Sequence, residues 1–85
     1  MQLPIVHLNG TSRQSLLDQA TNACEAIRNA INALSDASPH GRDYYPLGQE
    51  ALGRAQAEHQ SRYARLQSVL VELEKLAYGI SNAGK

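Results

Sequence analysis

The chain reads GQEALGRAQAEHQSRYARLQSVLVELEKLAYGI over residues 48–80, and an apolar or core-type position recurs there every seven residues. Helices that bury one face show this spacing, because two turns of α-helix take about seven residues. The recurring positions are Leu52, His59, Leu66, Leu73 and Ile80, flanked by Ala55, Val69 and Leu76 on one side and by Tyr63, Leu70 and Ala77 on the other. We therefore predict a long helix over residues 48–80, which frays near 78–81, and a loose tail over 81–85.

A second helical pattern precedes it. Its apolar positions follow steps of three and four, and they are Leu16, Ala20, Ala23, Ile27, Ala30 and Leu34, with a second row of Leu17, Cys24 and Ile31. Thr11 is a candidate N-cap, and Gln14 stands where a capping box needs it. Pro39 disfavours helix in the residue before it. The pattern predicts a helix over residues 12–38 that stops between Asp36 and Ser38.

The remaining segments lack a helical pattern. Residues 39–47 lie in a stretch with two prolines and two glycines, which predicts a loop without regular structure. Residues 1–11 begin with a short β-branched, apolar run, which predicts an extended arm packed on a neighbouring element. The fold class expected is all-α: an antiparallel two-helix hairpin with an N-terminal arm, in one domain over residues 1–85.

Two helices alone cannot bury such wide apolar faces, so we expect partners. The chain has 85 residues, one cysteine (Cys24) and no metal-binding spacing, so neither disulfides nor a metal would stabilise it. Self-association into a homo-oligomeric helical bundle, a dimer or higher, is the remaining route. Eight basic and eight acidic residues leave zero net charge, which disfavours nucleic acid and anionic membranes as partners. The absence of a signal-peptide pattern and of paired cysteines favours the cytoplasm.

No pattern indicates catalysis. Gly10 stands outside any phosphate-binding glycine motif, Cys24 falls within an apolar stripe, and the carboxylates fall on polar helix faces. We predict a protein that is not an enzyme, with no catalytic residue, metal site or cofactor.

The segment His7-Leu8-Asn9-Gly10-Thr11-Ser12 is the first candidate binding site. It places polar groups before a helix whose first N–H groups are unpaired and whose dipole is positive, an arrangement that suits an anion. His7, Asn9, Thr11 and Ser12 are the candidate ligand-binding residues. An ordinary N-cap is the alternative.

The second candidate site is Gly41-Arg42-Asp43-Tyr44-Tyr45-Pro46, where two of the four tyrosines follow an arginine. Arginine forks onto phosphate oxygens and tyrosine rings stack on bases, so Arg42, Tyr44 and Tyr45 could hold a nucleotide. Alternatively, the tyrosines plug the end of the bundle while Arg42 pairs with Asp43 or caps helix carbonyls. His59, in the core heptad, is either satisfied inside the bundle or lines a pocket between helices.

The HLNGTS segment, the P-x-x-R-D-Y-Y turn from Pro39 to Tyr45 and the closing helix resemble a family of short phage and prophage proteins. That class includes oligomeric sponges, which counter bacterial immunity by sequestering nucleotide second messengers. The resemblance implies an anti-defence protein in the cytoplasm of an infected bacterium that binds a cyclic nucleotide or an ADP-ribose derivative.

These observations favour a non-enzymatic homo-oligomer that sequesters a small phosphate-bearing nucleotide. A helix of roughly 39 Å would separate the two segments within one hairpin, so we expect sites shared between subunits. The alternative function is a structural or interaction bundle that binds a host or virion protein.

Overall fold

The computed structural model describes residues 1–83, and every regular element within them is helical, with no strand. Helix α1 spans Arg13–Asp36, a single-turn helix α2 spans Gly41–Tyr44, a 3₁₀ turn follows at Tyr45–Leu47, and helix α3 spans Gln49–Asn82. The predicted all-α class is confirmed.

Helix α1 begins one residue later than the candidate cap implied. Ser12, not Thr11, is the N-cap, and its hydroxyl accepts a hydrogen bond from the Ser15 N–H at 3.1 Å. Gln14 does not complete a capping box, because its side chain donates to the Asp18 carboxylate at 2.7 Å instead. The helix ends at Asp36, within the predicted range, and the Ala37 N–H donates to the Leu34 carbonyl at 3.0 Å.

The connection between the long helices is more ordered than predicted. The expectation that residues 39–47 lack regular structure is wrong, since they hold α2 and the 3₁₀ turn. His40 is the N-cap of α2, and its Nδ1 atom accepts a hydrogen bond from the Arg42 N–H at 3.2 Å. Gly48 then begins α3 with φ of 89°, a left-handed conformation that favours glycine.

Helix α3 starts where the pattern placed it but ends later. We expected fraying at 78–81 and a tail from 81, whereas Ser81 and Asn82 are helical. Residues 84 and 85 of the predicted tail lie outside the described residues. Among residues 1–83, no helix is both long and apolar enough to cross a membrane.

Helices α1 and α3 pack side by side over most of α1. Ser38, just after α1, hydrogen-bonds to His59, Arg28 pairs with Glu74 at 3.6 Å, and the Arg13 guanidinium donates to the Ala83 carbonyl. In these three contacts, the earlier residue along α1 meets the later residue along α3.

Few side chains are buried by this packing. The buried apolar residues are Ala20, Cys24, Ile31 and Ile80, and no large side chain within the described residues is fully enclosed. The chain is a rod of 62 × 19 × 18 Å with a radius of gyration of 18.7 Å. A compact domain of this length would have a radius of about 12 Å, so α1 and α3 form one layer without a second layer to cover it.

The N-terminal arm has no regular structure and lies along this layer. Leu3 packs on Gly79 so closely that a Cβ atom there would lie 2.8 Å from a Leu3 methyl carbon. Farther along, Ile5 and Leu8 are 80% and 98% exposed. The arm is thus held at Leu3, as expected of a segment packed on a neighbour, while much of its apolar surface faces outward.

Candidate functional site

The turn between α1 and α3 presents its two tyrosines differently. Tyr44, at the end of α2, is half-buried, whereas Tyr45 is 85% exposed. Both rings line an open cleft of about 440 Å³, and the other lining residues are Gly41, Gly48, Gln49 and Leu52. Of the two tyrosines, only Tyr44 has the burial expected of a side chain that closes the end of the bundle. Tyr45 is free to stack against a planar group.

Arg42 stands on α2 between the His40 cap and these rings. Its N–H is used by His40. The two ion pairs among residues 1–83 are Arg28–Glu74 and Arg62–Glu58, so the Arg42 guanidinium has no carboxylate partner there. It pairs neither with Asp43 nor with a helix carbonyl, the two structural roles that its position allowed. The guanidinium remains available to an anion.

His40 is the site residue that sequence reasoning missed. Histidine is not among the preferred N-cap residues, so only its position directly after Pro39 and before Gly41 marked it. Its side chain holds the first turn of α2 in place and thereby sets the orientation of Arg42 and Tyr44.

The His7 to Ser12 segment forms a turn closed by its own atoms. The Gly10 N–H donates to the His7 carbonyl at 3.1 Å, and the His7 ring lies over Gly10, where a Cβ would come within 2.6 Å of Nε2. The Ser12 hydroxyl caps α1. His7, Asn9, Thr11 and Ser12 are all exposed, so the turn combines a helix cap with polar groups at the surface.

The two candidate segments lie at opposite ends of the chain's long axis. Arg13, next to Ser12, contacts Ala83 at the end of α3, whereas Arg42 follows the other end of α1. The 24 residues of α1 separate them by about 36 Å. A single chain does not bring them together.

His59 is buried and belongs to the end of the molecule that carries the turn. Its Nε2 lies 3.1 Å from the Ser38 hydroxyl, which also lies 2.7 Å from the Ser35 carbonyl. The hydroxyl has one proton and the carbonyl can only accept, so Ser38 donates to Ser35 and accepts from His59. His59 therefore carries its proton on Nε2.

Both expectations for His59 apply in part. It is satisfied by Ser38, and it also lines an open cleft of about 370 Å³ with Ser38, Pro39, Gln56, Ala57 and Gln60. Among residues 1–83, no three histidine, cysteine or carboxylate side chains come together in a way that could hold a metal ion.

No protein-family model matches this chain, and neither a curated protein nor a solved structure shows significant similarity to it.

Proposed function

We propose that this chain is a non-enzymatic protein that binds a small phosphate-bearing nucleotide at the turn between α1 and α3. The observation that carries the proposal is the exposed Tyr45 ring at its cleft, three residues after Arg42. Arg42 does not itself line the cleft, and among residues 1–83 its guanidinium has no ion-pair partner. An arginine fork and an aromatic face are the two groups that recognise a phosphate and a base.

The second part of the proposal is that the chain is an antiparallel hairpin that forms a homo-oligomer. The opposed direction of the contacts between α1 and α3 supports the hairpin. Antiparallel pairing of two hairpins would bring the Asn9 to Ser12 turn of one subunit beside the Arg42 to Tyr45 turn of the other, and a twofold axis would make two equal sites.

Sequestration of a nucleotide signal by a phage protein is the biological role that fits such a site. The role rests on the resemblance of the HLNGTS and P-x-x-R-D-Y-Y segments to short phage proteins.

A thermal-shift screen against cyclic mononucleotides, cyclic dinucleotides and ADP-ribose tests the binding step, because a ligand specific to the folded state raises its stability. We expect at least one nucleotide to raise the melting temperature. Arg42→Ala and Tyr45→Ala should each weaken its binding about tenfold or more. Arg54→Ala and Tyr78→Ala are matched controls, as Arg54 is exposed and Tyr78 is 74% exposed at the other end of α3.

The shared site has its own test. A mixture of Asn9→Ala and Arg42→Ala chains should regain tight binding after subunit exchange, since each mixed dimer keeps one intact site, whereas each variant alone binds more weakly than the wild type. No recovery after verified exchange would place any site within one subunit.

A second candidate function is a helical bundle that binds a host or virion protein. Its specific support is apolar surface at the ends of the rod, where Leu8 is 98% and Leu47 is 71% exposed. If Leu47→Ser abolishes capture of a protein while no nucleotide in the screen binds, this function replaces the first.

A further inference from the structure

We infer that one side of the α1–α3 layer is the surface on which a second copy of this chain packs. This surface, the leucine face, consists of two rows of residues. The rows are Leu16, Ala23, Ile27, Ala30 and Leu34 on α1, and Leu66, Val69, Leu73 and Leu76 on α3. The inference rests on the homo-oligomer in the proposed function and is independent of the ligand.

The two rows face the same side of the layer. Each follows steps of three, four or seven residues, which keeps its members on one stripe of a helix. A cleft of about 480 Å³ lies between Leu16 and Ala23 of α1 and Leu73 and Leu76 of α3. A second cleft of about 350 Å³ lies between Leu34 and the pair Leu66 and Val69. The groove between the helices is therefore apolar near both of its ends.

Residues of the leucine face are only partly covered by their own chain. Eight of its nine residues are leucine, isoleucine or alanine, and most are half-buried, while Ala30 is exposed and Val69 is 41% exposed. The arm covers one end of the groove through Leu3 and Pro4. Within residues 1–83, no part of the arm covers the cleft at the other end, and its rim carries Arg62 and Arg65.

The opposite side of the layer carries a polar contact between the helices. Arg28 and Glu74 form an ion pair across it, and both side chains are about half exposed, at 54% and 50%. Arg28 and Glu74 lie on the other flank of the buried stripe from Ile27 and Leu73, because one residue of helix turns by about 100°. Half-buried Leu17, Tyr63 and Leu70 also lie on this opposite side. The two sides differ because an ion pair spans the opposite side, whereas neither ion pair among residues 1–83 spans the leucine face.

The exposed area identifies a second copy as the occupant. The chain exposes 6397 Å², whereas a globular monomer of its mass exposes about 5000 Å². The excess of roughly 1400 Å² exceeds the roughly 800 Å² that each partner buries in a stable interface. The margins of the face carry Arg62 and Arg65 against Glu58 and Glu72, so the charges balance and favour no strongly charged partner. A copy related by a twofold axis brings an equally apolar face.

Two valines on α3 provide the test, because they are similarly exposed but lie about 200° apart around the helix. Val69, on the leucine face, is 41% exposed, and Val71, outside it, is 48% exposed. In sedimentation of the full chain, Val69→Glu should raise the protein concentration at which half of the 9.3 kDa monomer is assembled by at least tenfold. Val71→Glu should leave that concentration unchanged. Equal effects of the two substitutions, or a larger effect of Val71→Glu, would overturn the inference.

A spin-label measurement decides the matter even if Val69→Glu fails to fold. Arg65 and Gln67 are both exposed, and Arg65 borders the leucine face, whereas Gln67 lies 200° around the helix from it. Pulsed dipolar spectroscopy on Arg65→Cys and Gln67→Cys chains should give a shorter distance between labels on two copies at position 65. The native cysteine, Cys24, is buried and should therefore not react with the spin label. A shorter distance at position 67 would reject this face. Neither experiment measures nucleotide binding. If no nucleotide binds, both results on the leucine face therefore still hold.

Discussion

Gly79 fixes the position of the N-terminal arm by lacking a side chain. A Cβ atom there would lie 2.8 and 2.9 Å from the two Leu3 methyl carbons, so the end of the Leu3 side chain must shift when one is added. We predict that Gly79→Ala loosens the arm. NMR should then show weaker contacts between Leu3 and α3, and a protease should cut the arm faster.

Gly53→Ala is the matched control for this prediction, since, apart from its chain neighbours and the backbone of its own helix turns, no atom of residues 1–83 lies within 4 Å of the added Cβ, and Gly53 is in the same helix. Alanine in place of glycine within a helix adds roughly 0.5–1 kcal/mol of stability. Gly53→Ala should show that gain in urea unfolding, and Gly79→Ala should show less of it, because the Leu3 contact is weakened. An equal gain with the arm held as tightly as in the wild type would contradict the role of Gly79.

Ser12 and Thr11 offer a second comparison between neighbouring residues. The Ser12 hydroxyl caps α1 through the Ser15 N–H, so Ser12→Ala should lower the unfolding free energy by about 1 kcal/mol. Thr11→Ala should change it by a few tenths at most, because Thr11 is exposed and is not the cap. Chemical unfolding of both variants measures the difference. A larger loss for Thr11→Ala would restore the cap that the sequence first suggested.

At the scale of elements, the end of α1 is joined to α3 by the hydrogen bond between Ser38 and His59. Ser38→Ala removes the partner of the His59 N–H in a part-buried hydrogen bond, so we expect a loss of about 1 kcal/mol. Nitrogen NMR of the wild-type chain should show the His59 proton on Nε2. The Ser61→Ala variant is a control on the exposed side of α3. A proton on Nδ1 instead would mean that Ser38 donates to His59.

The long helices could be predicted from the sequence because their signals are repeated over many residues. The heptads of α3 and the three-four steps of α1 outweigh any single residue, and both helices form within two or three residues of the predicted bounds. Their weak points were the ends. Gly79 suggested fraying, yet the helix continues to Asn82, since Leu3 packs over Gly79 and Ile80 is buried.

Short elements and the site depend on contacts that a pattern does not contain. The turn at α2 forms through a histidine cap, and the Ser12 cap displaced the Thr11 candidate by one residue. Sequence reasoning identified Arg42 and Tyr45 by residue type. Their availability follows from the ion pairs of other arginines and from the exposure of one ring, both of which require coordinates.

For the whole molecule, the central fact is a helical layer with a small core. Leu66 and Leu73, at the centre of the α3 pattern, are half-buried, and the buried apolar residues Ala20 and Cys24 are small. Fully burying a leucine contributes about 1.5–3 kcal/mol, so half-burial leaves much of that unrealised in a single chain. Apolar surface from a second chain would supply the rest.

Stability should therefore depend on protein concentration. For a dimer that unfolds to two chains, each tenfold increase in protein concentration adds about 1.4 kcal/mol to the free energy of unfolding. For the two chains of a dimer together, this raises the melting temperature by about 3–6 °C. Circular-dichroism melts between 1 and 100 µM measure it. Ser12→Ala is the control, because loss of a cap lowers every melting temperature but leaves the slope with concentration unchanged. A constant melting temperature for a folded 9.3 kDa species would show that the exposed leucines need no partner, and the single layer would then be the complete folded protein.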